Sequence, residues 1–111
     1  MEGVTAEMIA PDVALIVVAG EADLVSARLS HELERAADQG ATSVVIDCSG
    51  LSFLDTTTID HLVEAMSDLG RHNLYVVAPA GDVRRILEVT LLDQVLPLYR
   101  TREEALAAAR H

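Results

Sequence analysis

One segment of this 111-residue chain runs from a hydrophobic stretch directly into a row of threonines. It reads Val44-Val45-Ile46-Asp47-Cys48-Ser49-Gly50-Leu51-Ser52-Phe53-Leu54-Asp55-Thr56-Thr57-Thr58-Ile59. The β-branched residues at its start predict a strand over residues 44–48 that is buried on both faces of a sheet, and the Ser-Gly pair predicts a turn. The apolar spacing from residue 57 onward predicts a helix, which places the threonine hydroxyls at a helix N-terminus. Because unpaired backbone N–H groups and the helix dipole favour negative charge there, a phosphate on one of these hydroxyls would be well accommodated. We interpret the threonines as a candidate switch site.

Hydrophobic periodicity predicts the remaining elements. Strands are expected at residues 4–9, 13–19, 44–48, 74–78 and 95–99, and helices at residues 24–39, 57–69, 82–90 and 101–110. Gly40 and Gly70 are stop signals for the first two helices, and Thr101 with Glu104 has the spacing of a capping box. Two strands followed by helix–strand alternation predict parallel βαβ units beside an N-terminal hairpin. The expected fold is α/β: a single domain over residues 1–111, with a mixed four- to five-stranded sheet and about four helices.

Composition excludes several classes of function. The formal charge of −10 argues against nucleic-acid binding, which needs clustered positive charge. The chain has no uninterrupted run of 18 apolar residues, so we expect no membrane insertion. The single Cys48 and the lack of a signal-like N-terminus favour the cytoplasm, with Cys48 as a packed core thiol.

The chain shows no recognisable catalytic or cofactor pattern. Its four histidines have no metal-ligand spacing, and the glycine-rich phosphate loops and the serine nucleophile elbow are absent. Asp47 and Asp55 flank the strand-to-helix loop and could be imagined as an acid/base pair, but a role as turn and cap residues is favoured. We therefore predict a protein that is not an enzyme and that holds no cofactor or metal.

Several motifs of the chain resemble those of the STAS domain of bacterial anti-sigma factor antagonists. Gly20-Glu21-Ala22-Asp23 is similar to the family pattern G-E-[LI]-D, and the residues from Val45 to Thr57 are similar to a strand followed by D-L-S-x-[LV]-x-[FY]-[IMLV]-D-S-[SA]-G. The stretches at residues 83–90 and 101–106 also look like that family. The resemblance covers nearly the whole chain, in the right order and spacing.

The resemblance implies a mechanism of partner switching. The unphosphorylated protein would bind an anti-sigma factor, a GHKL-type serine kinase, and so release a sigma factor for transcription. The kinase would phosphorylate Thr56, with Thr57 as second choice, and a phosphatase would reverse the reaction. The residues expected to contact the partner are Glu21, Asp23, Asp55, Thr56, Thr57, Thr58, Arg84 and Arg85. A monomer or weak dimer is expected, since an edge strand near residues 4–9 could pair with another chain.

The sequence departs from the family pattern at two positions where glycine is usual. One is occupied by Thr58 and the other by Leu91, at the end of the third helix. At Leu91 either the helix ends differently from the family's, or its end offers an apolar contact.

Structural roles compete with the functional ones for the same residues. Thr57 and Asp60 have capping-box spacing, Glu21 and Asp23 could cap the first helix, and Arg84-Arg85 could be a solvated face rather than a contact for a partner or a phosphate.

The sequence is also compatible with two other functions. The chain also resembles stand-alone STAS adaptors bound to the ATPase of a lipid-transporting ABC system, in which a threonine at the same helix N-terminus makes the contact without being phosphorylated. A nucleotide-responsive or enzymatic α/β domain is the third hypothesis, and the missing phosphate-binding loop disfavours it.

Overall fold

The computed structural model describes residues 3–20, 22–51, 54, 56–70 and 73–110, with the backbone alone for residues 22–27. Its strands are β1 (Gly3–Ala10), β2 (Val13–Gly20), β3 (Ser43–Leu51), β4 (Leu74–Val77) and β5 (Leu98–Tyr99). Its helices are α1 (Ala22–Asp38), α2 (Thr56–Leu69), α3 (Asp82–Val89) and α4 (Arg102–Ala109), with one turn of 3₁₀ helix at Leu92–Gln94.

The strands form one five-stranded sheet in the order β1-β2-β3-β4-β5. β1 pairs with β2 antiparallel, and all other neighbours are parallel. The prediction of a mixed sheet with an N-terminal hairpin is therefore confirmed.

Helices cover both faces of this sheet. Buried residues of α1, α2 and α3, among them Leu29, Leu62 and Leu87, pack with Ile46 and its neighbours into the larger core cluster. On the opposite face, α4 packs Ala105 and Ala109 against a smaller cluster that includes Val45. β3 lies in the middle of the sheet, so its residues from Val44 to Cys48 are all buried, as their apolar pattern predicts.

The end of α1 follows from a glycine. Gly40 has a φ of 98°, its N–H donates to the carbonyl of Ala37, and the N–H of Ala41 donates to that of Ala36. This pair of bonds is the Schellman arrangement, in which a left-handed residue satisfies the last carbonyls of a helix. The predicted stop signal at Gly40 is confirmed.

β3 is longer than predicted, and the expected turn at Ser49-Gly50 is wrong. The strand continues to Leu51, and its pairing with β2 shifts between Asp47↔Val17 and Gly50↔Ala19, which leaves one extra residue in β3. A Cβ on Gly50 would lie 2.9 Å from the Cβ of Ala19. The Ser-Gly pair therefore lies in a β-bulge, where β3 packs closely against β2. Bulges and turns favour the same residues, so the sequence alone does not distinguish them.

The predicted strand at residues 95–99 is also mostly wrong. The chain forms the 3₁₀ turn at Leu92–Gln94, and only Leu98 and Tyr99 are assigned to β5. Val95, the first residue of the apolar run that suggested a strand, is 38% exposed and lies outside the core.

Candidate functional site

The proposed site lies at the edge of the sheet where the parallel strands end. Gly20, the last residue of β2, pairs with Leu51, the last residue of β3. The ends of β2 and β3 therefore lie side by side. Because β4 and β5 run in the same direction, the start of α3 lies at this edge as well. In open α/β sheets this carboxyl edge is where binding sites concentrate.

The three threonines of α2 divide into two exposed residues and one buried residue. Thr56 is the first residue of the helix, and both Thr56 and Thr57 are exposed. The first turn of α2 carries no acidic side chain. The positive end of the helix dipole is therefore not offset by the first turn itself, and a dianion there would be stabilised.

Thr58 is fully buried, with 0% of its surface exposed. It lies on the inner stripe of α2 with Leu62 and Ala65, at the i, i+4 and i+7 spacing of a helix face. This burial contradicts the prediction of Thr58 as a partner-contact residue, and the side chain belongs to the packing of α2 on the sheet. The alternative role of Thr57 as the N-cap of α2 is also wrong. The helix already begins at Thr56, so Thr57 lies inside it.

Asp47 anchors α4 to the sheet. One carboxylate oxygen accepts hydrogen bonds from the backbone N–H of Ser49 at 2.9 Å and from the Ser49 hydroxyl at 2.6 Å, and the other accepts from Arg102 Nε at 2.8 Å. Burial alone would raise the pKa of Asp47, but the hydrogen bonds from Ser49 and the Arg102 guanidinium outweigh it and hold the pKa below its ordinary value. Asp47 is only 2% exposed, which argues against its use as a general acid or base with Asp55.

Cys48 lies in the larger core cluster on the opposite face of β3. Burial, with a smaller contribution from the Asp47 carboxylate, raises the pKa of its thiol to about 12. The thiol is therefore protonated at neutral pH and is a packing residue, as expected from its position in the sequence.

The two arginines of α3 differ in their surroundings. Arg84 is half-buried, and its guanidinium donates from Nη1 to the carbonyl oxygen of Ala78 at the end of β4. Its Nε lies 3.8 Å from a carboxylate oxygen of Glu88. Arg85 is exposed, so of the two predicted contact residues it is the more available.

Three predicted site residues fall outside what the structure describes. Glu21 and Asp55 lie in the undescribed positions, and Asp23 is described by its backbone alone. Their proposed roles remain predictions from the sequence.

Among the described residues, no helix is long and apolar enough to cross a bilayer. Within the same residues, no three His, Cys, Asp or Glu side chains are grouped so that they could hold a metal ion.

Comparison with known proteins agrees with this architecture. The family profile of the STAS domain matches residues 8–105. The anti-sigma-F factor antagonist RsfB of Mycobacterium tuberculosis is 29% identical over 100 residues, which cover 88% of this chain and 82% of that protein.

Solved structures give the same result. The crystal structure of an anti-sigma factor antagonist from Mycobacterium paratuberculosis superposes with a TM-score of 0.85 at 31% identity, covering 97% of this chain and 93% of that one. The Bacillus cell fate determinant SpoIIAA in its phosphorylated form shares the fold, with a TM-score of 0.67 at 18% identity over 94% of this chain and 96% of that one. The chain belongs to the STAS-domain family.

Proposed function

We propose that this protein is an anti-sigma factor antagonist that works in the cytoplasm as a binding module without catalytic activity. In its unphosphorylated form it binds an anti-sigma factor and so releases a sigma factor for transcription. The names of the similar proteins from the two Mycobacterium species support this general function.

The observation that carries the proposal is the position of Thr56. It is exposed, and it is the first residue of α2, the helix that follows β3 at the carboxyl edge of the sheet. A hydroxyl in this position is accessible to a kinase. We therefore assign the phosphorylation to Thr56, with Thr57 as the second choice.

Phosphorylation at Thr56 would act on the contact rather than on the fold. The added phosphate carries about −1.5 to −2 charge, and the helix N-terminus accommodates that charge within the protein. In a packed interface the same group must lose its hydration, and a buried charge without a partner is costly. The modified protein thus keeps its structure and loses its partner, with the anti-sigma factor as the GHKL-type kinase and a separate phosphatase restoring the binding form.

The alternative is a stand-alone adaptor of a lipid-transporting ABC system. The two similar proteins from Mycobacterium species are named as anti-sigma factor antagonists, so this alternative ranks second. It would use the same exposed Thr56 as a contact without modification.

The binding half of the proposal is tested by isothermal titration calorimetry with the anti-sigma factor of the same organism. We expect Thr56→Glu to weaken binding at least about tenfold, since it places a charge in the contact. The matched control is Ser67→Glu, which adds the same charge to an exposed position in the last turn of the same helix. Equal affinities for the wild type and Thr56→Glu would contradict the assignment, as would equal losses in the two variants.

A further inference from the structure

A cavity lies at the carboxyl edge of the sheet, at the start of α3. It has a volume of about 490 Å³ and is lined by Gly81, Asp82, Arg84, Arg85, Glu88 and Arg100, among others. Three of the eight basic residues of the chain therefore line one cavity, although the formal net charge of the chain is −10. Such a local concentration of guanidinium groups in an acidic protein indicates a binding site for an anion.

Arg84 forms a fixed wall of this cavity. Its side chain is only 15% exposed and is held by the carbonyl of Ala78 and by the ion pair with Glu88. Its Nε is buried and makes no hydrogen bond to a described atom. Glu88 therefore offsets the charge of Arg84 without satisfying all of its donors.

Arg85 and Arg100 supply positive charge that is not neutralised by an ion pair in the described chain. Both are exposed, and neither forms an ion pair or a side-chain hydrogen bond with the described part of the chain. The three arginines and the two carboxylates, Asp82 and Glu88, give the lining a formal net charge of +1. Gly81, the N-cap of α3, has no side chain with which to cap the helix, so no side-chain cap competes for the first backbone N–H groups at the cavity.

We propose that this cavity binds the dianion of a phosphate monoester. Each guanidinium presents a planar fork of donors, and two free forks suit the three terminal oxygens of a phosphate monoester better than the two oxygens of a carboxylate. The phosphate could belong to a small metabolite or to a phosphorylated side chain of another protein. Arg84 and Arg85 are also predicted partner contacts, but the inference does not depend on the proposed function, because its test needs no sigma-factor regulator.

The test is a ¹H–¹⁵N NMR titration of the full chain at constant ionic strength. Inorganic phosphate, glycerol 3-phosphate and a phosphothreonine peptide are titrated separately, with acetate as the carboxylate control. We expect saturable shifts of the amides of residues 81–85 and 100 with the phosphate ligands and weaker binding of acetate. Stronger binding of glycerol 3-phosphate would identify a small metabolite as the source, and stronger binding of the peptide would identify a phosphorylated protein.

Two double variants decide whether the arginines are responsible. Arg85→Gln with Arg100→Gln should weaken phosphate binding at least about tenfold through the loss of charge-assisted hydrogen bonds. Arg35→Gln with Arg110→Gln makes the same change in net charge at exposed positions elsewhere and should bind as the wild type does. Absence of saturable shifts, equal binding of acetate, or equal weakening in the two double variants would overturn the proposal.

Discussion

A single carboxylate, that of Asp47, connects the centre of the sheet to α4. Its partner Arg102 is 55 residues away in the sequence, and the pair is formed at the first residue of a helix of only eight residues. The helix covers one face of β3, β4 and β5, so the ion pair holds in place the element that closes the smaller core cluster.

Removal of this charge should destabilise the protein. We expect Asp47→Asn to lower the free energy of unfolding by about 1–3 kcal/mol, because it weakens two hydrogen bonds from Ser49 and leaves Arg102 without its partner. The control is Asp93→Asn at an exposed position, which should change stability by no more than about 0.5 kcal/mol. Equal urea denaturation midpoints for the two variants would show that the ion pair contributes nothing.

The same carboxylate gives the protein an acid-sensitive contact. Since the pKa of Asp47 is lower in the folded protein than its ordinary value of 3.8, its contribution is complete above that value and is lost as the pH falls through the folded-state pKa. Stability measured between pH 7 and pH 2.5 should therefore fall less steeply in Asp47→Asn than in the wild type below pH 3.8. Parallel curves below that pH would contradict the assignment.

Leu91 is a residue whose backbone conformation conflicts with its side chain. It has a φ of 63°, the one positive value at a non-glycine residue in the described chain, and its side chain is 60% exposed. The family pattern has glycine here, and the structure keeps the left-handed conformation despite the leucine. The helix thus ends at a left-handed residue of the kind that glycine occupies readily, with an exposed apolar side chain added.

Leu91→Gly should relieve this strain. The left-handed conformation costs about 1–2 kcal/mol for a residue with a side chain, and the greater freedom of glycine in the unfolded chain returns about 0.5–1 kcal/mol of that. We expect a net gain in stability of up to about 1.5 kcal/mol, measured by chemical denaturation. Val89→Gly, at an equally exposed but helical position, should instead lower stability, and a comparable loss in both variants would refute the explanation.

At the scale of elements, the bulge in β3 sets how the last residues of that strand pair with β2. The extra residue between Asp47 and Gly50 lets the strand continue to Leu51, next to Gly20. The ends of β2 and β3, which the predicted contact residues follow in the sequence, therefore lie side by side. The contact of Gly50 with Ala19 makes this arrangement specific to glycine.

Gly50→Ala should distort this junction. The new methyl group would lie 2.9 Å from the Cβ of Ala19, and overpacking of this kind costs about 1–3 kcal/mol. Addition of Ala19→Gly should recover part of the loss, because it removes the atom nearest to the new methyl group. Thermal denaturation of the single and double variants measures this coupling, and strictly additive losses would argue against the contact as the cause.

At the scale of the whole molecule, the sequence predicted the architecture well where one periodicity dominated. The apolar run at Val44–Cys48 gave the central strand, and the glycines after α1 and α2 gave their ends. The N-cap of α4 is also confirmed, with the Thr101 hydroxyl accepting from the N–H of Glu104 at 3.2 Å. These features depend on local chemistry, which a single sequence carries.

The incorrect predictions concern features that depend on contacts between residues far apart in the sequence. A Ser-Gly pair is compatible with a turn or a bulge, and only the pairing of β3 with β2 distinguishes them. The partner of Asp47 cannot be read from its neighbours, because Arg102 reaches it through the packing of α4. Thr58 stood among polar residues in the sequence, yet its helical spacing with Leu62 and Ala65 was a signal that could have placed it inside.

Phosphorylation of Thr56 is the central claim, and intact-mass analysis after incubation with ATP and the GHKL-type kinases of the source organism tests it most directly. We predict the gain of one phosphate in the wild type and in Thr57→Ala, and no gain in Thr56→Ala. Phosphorylation of Thr56→Ala would show that another residue accepts the phosphate. No phosphate with any of these kinases would contradict the switch and favour the unmodified contact of a transporter adaptor.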